Sequence, residues 1–263
     1  MRCLTALFGC RLSEGSSISV ILVDDGSTDG TTAAVRATFP AVTILAGDGH
    51  LFWNRGMHLA FAHALAAGFD AYLWLNDDTF LFPDAMERLL GAWTSDDAAG
   101  RGAGIYVGAT RAPDSGETTY GGLRRRSWLR RFRFDLVEPD GAAVECDTMN
   151  GNCVLIPDEV ARRLGNLDPA YEHAMGDIDY GLRARQAGIR LIVVPGHVGA
   201  CRQDRPLAGD EVDSRRARLR RMLGRKGLPP RSWLTLVRRH GGPLWPVYWV
   251  QPYLRALLAR QQS

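Results

Sequence analysis

The 263 residues, 46% hydrophobic and 23% charged, suffice for one large α/β domain or a domain with an appendage. No run approaches the roughly 18 apolar residues of a membrane-spanning helix, residues 1–12 are too short for a secretory leader, and five scattered cysteines (Cys3, Cys10, Cys146, Cys153, Cys201) without a CxxC pair argue against structural zinc or a disulfide framework and for a reducing cytoplasm. The net charge of +3 conceals a polarity that bears on partners rather than fold: all 29 acidic residues lie at or before Asp213, and 12 of the 32 basic residues follow it.

Residues 18–23 form a short β-branched run ending in an Asp/Gly/Ser turn, the pattern of a buried strand. A helix is expected over 31–39, closed by Pro40, then a strand over 42–45. Residues 54–67 carry apolar side chains at helical spacing with Gly68 as the stop. A strand over 71–75 and a helix over 83–93 with proline in its first turn follow. Strands alternating with helices imply a doubly wound, mostly parallel sheet, whose ligands sit beyond the carboxyl ends of its strands. Residues 102–147 change texture to glycine, arginine and short alternating runs, read as loops and antiparallel strands. Short helices over 157–164 and 177–187 and a strand over 190–194 complete this part; beyond Asp204 the chain is Arg-rich and helical, then aromatic and Pro-rich.

Three aspartate-bearing segments stand out. Asp24-Asp25-Gly26-Ser27 is either a plain strand-to-helix turn or a nucleotide cradle. Asn76-Asp77-Asp78 either caps a strand through an Asx turn or offers oxygen ligands to Mg²⁺ or Mn²⁺, which would offset the charge of a departing diphosphate. Asp177-Ile178-Asp179 opens a helix, where carboxylates either cap free N–H groups or include a general base.

In order, these segments resemble the inverting glycosyltransferases of family 2, which have the GT-A fold. VDDGSTDGT is similar to the first nucleotide-binding loop, LNDDT to the DxD-type metal motif, and GDIDYGLRARQAG to the ED-type motif and its helix. Trp53-Asn54-Arg55-Gly56 and residues 150–157 add further matches, so the resemblance spans about residues 1–198. The NDDT and DYGLR forms look like rhamnosyl- and galactofuranosyl-transferases of bacterial surface polysaccharides. The resemblance implies that Asp24, Asp25, Gly26, Ser27, Asn54, Arg55 and Asp77 bind a nucleoside-diphosphate sugar, and that Asn150, Gly151 and Asn152 line the acceptor side. It implies Asp78 as metal ligand with His197 as the nearest candidate second ligand, Asp177 as catalytic base and Asp179 as its support or an acceptor contact. The family often has Glu or Asp where Gly176 stands, and Asn76 replaces the first aspartate of a strict DxD.

The implied activity is sugar transfer with inversion to a glycan or lipid-linked hydroxyl in cell-surface polysaccharide synthesis. The family also begins with a strand ahead of its first helix, whereas residues 1–8 already look like that helix. The expectation is therefore a sheet lacking its first strand, through an internal start or truncation, and the rival reading is an inactive GT-A binding protein. A nucleotidyltransferase is disfavoured, since no glycine-rich basic loop follows an initial strand. Residues 1–204 are expected to form the catalytic domain and 205–263 a basic, aromatic helical extension. That extension admits two main readings, a helix packed on the catalytic domain or contact with an anionic membrane at its inner face, with Trp245, Tyr248, Trp249 and Tyr253 at the interface. Nucleic acid is not an expected partner.

Overall fold

A computed structural model describes residues 1–127, 130–203, 215–225 and 227–258. Its elements in chain order are α1 (Arg2–Phe8), β1 (Ile21–Asp24), α2 (Thr31–Thr38), β2 (Thr43–Ala46), α3 (Phe52–Ala67), β3 (Ala71–Leu75), β4 (Phe80–Leu81) and α4 (Ala85–Ala98). Next come β5 (Ile105–Arg111), β6 (Thr118–Tyr120), β7 (Gly122–Arg125), β8 (Phe134–Leu136), β9 (Val144–Cys146), β10 (Thr148–Met149) and β11 (Cys153–Pro157). The chain continues with α5 (Asp158–Leu164), α6 (Gly176–Gln186), β12 (Leu191–Ala200), α7 (Arg215–Leu223), α8 (Pro230–His240) and α9 (Trp245–Leu258).

The central sheet has the order β3-β11-β5-β12-β4, with β6 added to β5 and β9 to β12. Strands β3, β5 and β12 share one direction: β12 runs parallel to β5, while β11 lies antiparallel between β3 and β5. Both faces of this sheet are covered, so β11 and β5 as far as Ala109 carry apolar residues or glycine on both sides of the pleat. Ile105, Val107, Val154 and Ile156 enter one core with Phe61, Trp74 and Tyr180. Tyr106, Cys153 and Leu155 enter the other with Leu7, Met86 and Leu89. Of the antiparallel strands in this sheet, β6 and β9 come from residues 102–147, the stretch that composition set apart, whereas β4 and β11 lie outside it.

Strands β1 and β2 pair with each other in parallel and are not hydrogen-bonded to the larger sheet among the described residues. Val20 packs against both neighbouring cores. Residues 2–8 are helical, close to the helix expected over residues 1–8. Strand β12 runs six residues past the expected end at Val194, because register shifts around Pro195 and Gly196 absorb the proline as a bulge and pairing resumes at His197. The expected domain boundary at 204/205 lies outside the described residues.

Candidate active site

Two loops meet where the antiparallel pair β3–β11 ends. Leu75 pairs with Cys153, so the turn after β3 faces the residues before β11. The Asn76 N–H donates to the Asn152 carbonyl at 3.0 Å, and the Trp53 indole donates to Asn76 Oδ1 at 2.6 Å. Asn76 is thus a bracket, and the next two residues, Asp77 and Asp78, are left exposed at the strand end. On the β11 side, the Gly151 N–H donates to Asp177 Oδ2 at 3.0 Å. One short backbone path, Asn76–Asn152–Gly151, therefore joins the acidic turn to the first turn of α6. A Cβ at Gly151 would overlap the Trp53 ring, so this approach requires glycine.

Asp177 also receives the Ile178 N–H at 2.8 Å. Burial raises its pKa above the usual carboxylate value, and the two backbone N–H groups only partly offset that. A half-buried carboxylate with a raised pKa at a helix start is suited to take a proton. The entry to α6 is strained: Met175 sits at φ 79°, an uncommon region for a side chain of its size and one that costs on the order of 1–3 kcal/mol. Phe52, which opens α3 beside Trp53, is the other non-glycine residue with positive φ among those described. Both outliers flank the same opening.

Gly176 has a steric reason to lack a carboxylate, because any Cβ there would collide with the Asn54 amide oxygen. Asn54 is 0% exposed, and its Nδ2 donates to the carbonyls of Asp168 at 2.9 Å and Tyr171 at 2.8 Å. It therefore supports the loop before α6 from inside, which corrects the expectation of a nucleotide contact. Arg55 is also engaged locally, donating to Pro169 O at 3.1 Å.

Asp179 needs a similar correction. Fully buried, it accepts from Tyr171 Oη at 3.1 Å, Arg183 Nε at 2.9 Å and Arg239 Nη1 at 2.8 Å, and pairs with His240 Nε2 at 2.8 Å. Burial alone would raise its pKa, but the His240 and Arg239 hydrogen bonds and the two guanidinium charges lower it overall. Two of these partners belong to α8, so Asp179 fastens the C-terminal helices onto α6 and is turned into the protein interior. Nothing in the basic run of the sequence distinguishes Arg239 and His240 from their neighbours.

In the first loop, Asp24 accepts from the Ser27 N–H at 2.9 Å and from the Thr32 hydroxyl, and hydrogen bonds from Ser27 and Thr32 lower its pKa. Asp25 accepts from the N–H groups of Gly49 (2.8 Å), Leu51 (2.9 Å) and Phe52 (3.0 Å), which ties β1 to the loop leading into α3. The two carboxylates shape the loop, while Gly26 and Ser27 are exposed at its rim. Arg225 lies with its guanidinium 4.0 Å from the Phe52 ring centre and 3.5 Å from Glu172, which brings the basic C-terminal region to the same rim.

The candidate metal ligands separate. His197 lies on β12, where Nε2 pairs with Thr118 Oγ1 at 2.8 Å and the ring lines a cavity of about 410 Å³ with Glu117 and Glu138. The residue set beside Asp78 is Cys201 instead. Burial, countered by contact with the Thr79 hydroxyl and reinforced by the Asp78 carboxylate, pushes the Cys201 thiol up to about 11. A lone cysteine carried no signal in the sequence. Among the described residues no three His, Cys, Asp or Glu side chains converge. The exposed Asp77–Asp78 pair fits a hard cation that takes one or two carboxylates and completes its shell with substrate phosphates.

Residues 2–154, more than half of the chain, match the family described as Glycosyl transferase family 2, and the chain belongs to that family. It is 27% identical over 213 residues, 72% of its own length and 68% of the relative's, to the N-acetylglucosaminyl-diphospho-decaprenol L-rhamnosyltransferase of Mycobacterium tuberculosis, in strains CDC 1551 / Oshkosh and ATCC 25618 / H37Rv alike. Among solved structures it is similar to the mannosyltransferase PcManGT from Pyrobaculum calidifontis in complex with GDP-Man and Mn²⁺ (TM-score 0.50, 18% identity, 98% of this chain and 65% of that one). A second is GalNAc-T7 with UDP, GalNAc and Mn²⁺ (TM-score 0.53, 12% identity, 93% of this chain and 46% of that one). The chain thus spans somewhat under two thirds of the first solved structure and under half of the second. At these identities the likeness establishes the fold, which is GT-A.

Proposed function

We propose that the chain transfers a sugar, with inversion, from a nucleoside-diphosphate donor to a hydroxyl of a lipid-linked glycan in bacterial surface-polysaccharide synthesis. The observation that carries this is the Asp177 carboxylate, its pKa raised and its orientation fixed by Gly151, joined through Asn152 and Asn76 to the exposed Asp77–Asp78 turn. The rhamnosyltransferase relative, named for a diphospho-decaprenol acceptor, supports the acceptor class. Two solved neighbours hold Mn²⁺ beside a nucleotide, which supports a divalent cation.

In this reading the loop of Asp24, Asp25, Gly26 and Ser27 receives the nucleoside, and Asp77 meets the donor sugar. Asp78 holds Mg²⁺ or Mn²⁺, which when bound supplies positive charge against the leaving diphosphate. Asp177 takes the proton from the acceptor hydroxyl, whose oxygen attacks the anomeric carbon from the face opposite the departing diphosphate. Residues 150–152 and Trp53 border the acceptor entry. The reaction places the enzyme at the inner face of the membrane, where nucleotide sugars and lipid-linked glycans meet.

Calorimetry with UDP, dTDP and GDP, with and without Mn²⁺, tests the donor side. Metal-dependent binding of one nucleotide, lost in Asp78→Ala, is the expected result. A folded chain that binds none of them overturns the proposal and favours a non-catalytic GT-A protein.

A further inference from the structure

Helix α9 is apolar on two opposite faces, yet only one of them is covered. Trp245, Tyr248, Trp249 and Tyr253 point inward onto Trp233, Leu236 and Phe132. This orientation is fixed by Pro252, which has no N–H to donate to the Tyr248 carbonyl one turn back; the Trp233 indole donates there instead, at 3.2 Å. The Tyr253 hydroxyl donates to Leu228 O at 2.8 Å and locks the same face. The aromatics expected at a membrane interface are therefore occupied in packing α9 onto α8.

The opposite face carries Val247, Val250, Leu254, Leu257 and Leu258, exposed by between 37% at Val250 and 75% at Leu258. At 100° per residue these five fall within about one third of the helix circumference, opposite the aromatic side. Gln251 and Arg255, both exposed, border the stripe. No acidic residue follows Asp213, so the helices on this side present arginine alone as charge. A contiguous aliphatic stripe with Arg255 at its edge, on a side of the molecule that carries no acidic residue after Asp213, matches a bilayer surface with anionic headgroups. Fourteen residues reach about 21 Å, short of the roughly 30 Å hydrocarbon layer, and no helix among the described residues is long and apolar enough to cross a membrane.

We propose that α9 lies in the plane of an anionic membrane surface on its Val247–Val250–Leu254–Leu257–Leu258 face. The proposal deepens the reading of a lipid-linked acceptor, since α8, which α9 covers, is fastened to the base helix through Asp179. The membrane would then hold the transfer site at a fixed height above the lipid carrying the acceptor.

Co-sedimentation of the full chain with phosphatidylcholine vesicles, with and without one third phosphatidylglycerol and with no acceptor present, tests it directly. Binding to the anionic vesicles, weakened by salt, is expected, and the pair Leu254→Glu with Leu257→Glu should lower it by about tenfold or more. Because both side chains are exposed, the variant should keep its melting temperature and its turnover of a water-soluble acceptor; Leu258→Glu serves if the pair unfolds. Equal sedimentation of parent and variant overturns the proposal. So does a parent that ignores vesicles and sediments as a dimer that the variant dissociates, which would assign the face to a second copy of the chain. Vesicle binding without any sugar transfer would instead remove the glycosyltransferase reading and leave the docking face intact.

Discussion

Replacing Asp179 by Asn separates a fastening carboxylate from a catalytic one. The change keeps the side chain's size but removes the charge that Arg183, Arg239 and His240 surround. Truncating one partner of a buried ion pair typically destabilises by about 3–5 kcal/mol. The Arg239 side chain is 34% exposed, so water takes up part of that loss, and about 3 kcal/mol is the expectation. For a domain of this size this lowers Tm by roughly 6–12 °C. Thermal unfolding followed by circular dichroism measures it. The sign with pH follows from the lowered pKa of Asp179: its stabilisation is fully present above the unfolded value near 3.8 and fades as pH falls through the lower folded value. The gap between parent and variant should therefore close in strong acid. A variant with the parent's Tm and no turnover would refute this reasoning and return Asp179 to the reaction.

Asp177→Asn should reduce kcat by about 10²–10⁴ with Tm unchanged or slightly raised, because it removes a desolvated charge yet keeps an acceptor for the Gly151 N–H. The parent's rate should climb as pH rises through the elevated pKa of Asp177. Its stability should fall across the window between the ordinary carboxylate value and that folded pKa, since the folded state holds the proton more tightly. Gly176→Ala should destabilise by about 2 kcal/mol or more through the clash with Asn54, and Asn54→Ala in the same chain should recover part of it, a coupling that a double-mutant cycle by urea unfolding reads out. Trp53→Phe leaves Asn76 Oδ1 without its donor at a cost of about 1–2 kcal/mol, and should weaken metal-dependent nucleotide binding by loosening the turn that carries Asp77 and Asp78.

Much of this protein was legible from local pattern. The helices of the first hundred residues and the strands ending in Asp24 and Leu75 follow from apolar periodicity and from glycine, proline and aspartate at the breaks, signals that act over a few residues. The ordered acidic segments also pointed to the family. Long-range pairing was not legible: β11 enters the sheet antiparallel, and β12 survives its proline through a bulge, because ladder partners lie tens of residues away.

The sequence by itself determined which residue types stand at the strand ends and helix starts, since those rest on backbone preferences of neighbouring residues. Tertiary structure alone decided their duties. Asp177 and Asp179 are two positions apart on one helix, about 200° around its axis, so one faces the opening and the other the core, where α8 brings Arg239 and His240 to meet it. His197 lies within β12 and Cys201 just past its end at Ala200, and the fold sets the cysteine rather than the histidine beside Asp78. A side chain's role here depends on which surface reaches it across the fold, and that is fixed by packing rather than by its neighbours in the chain.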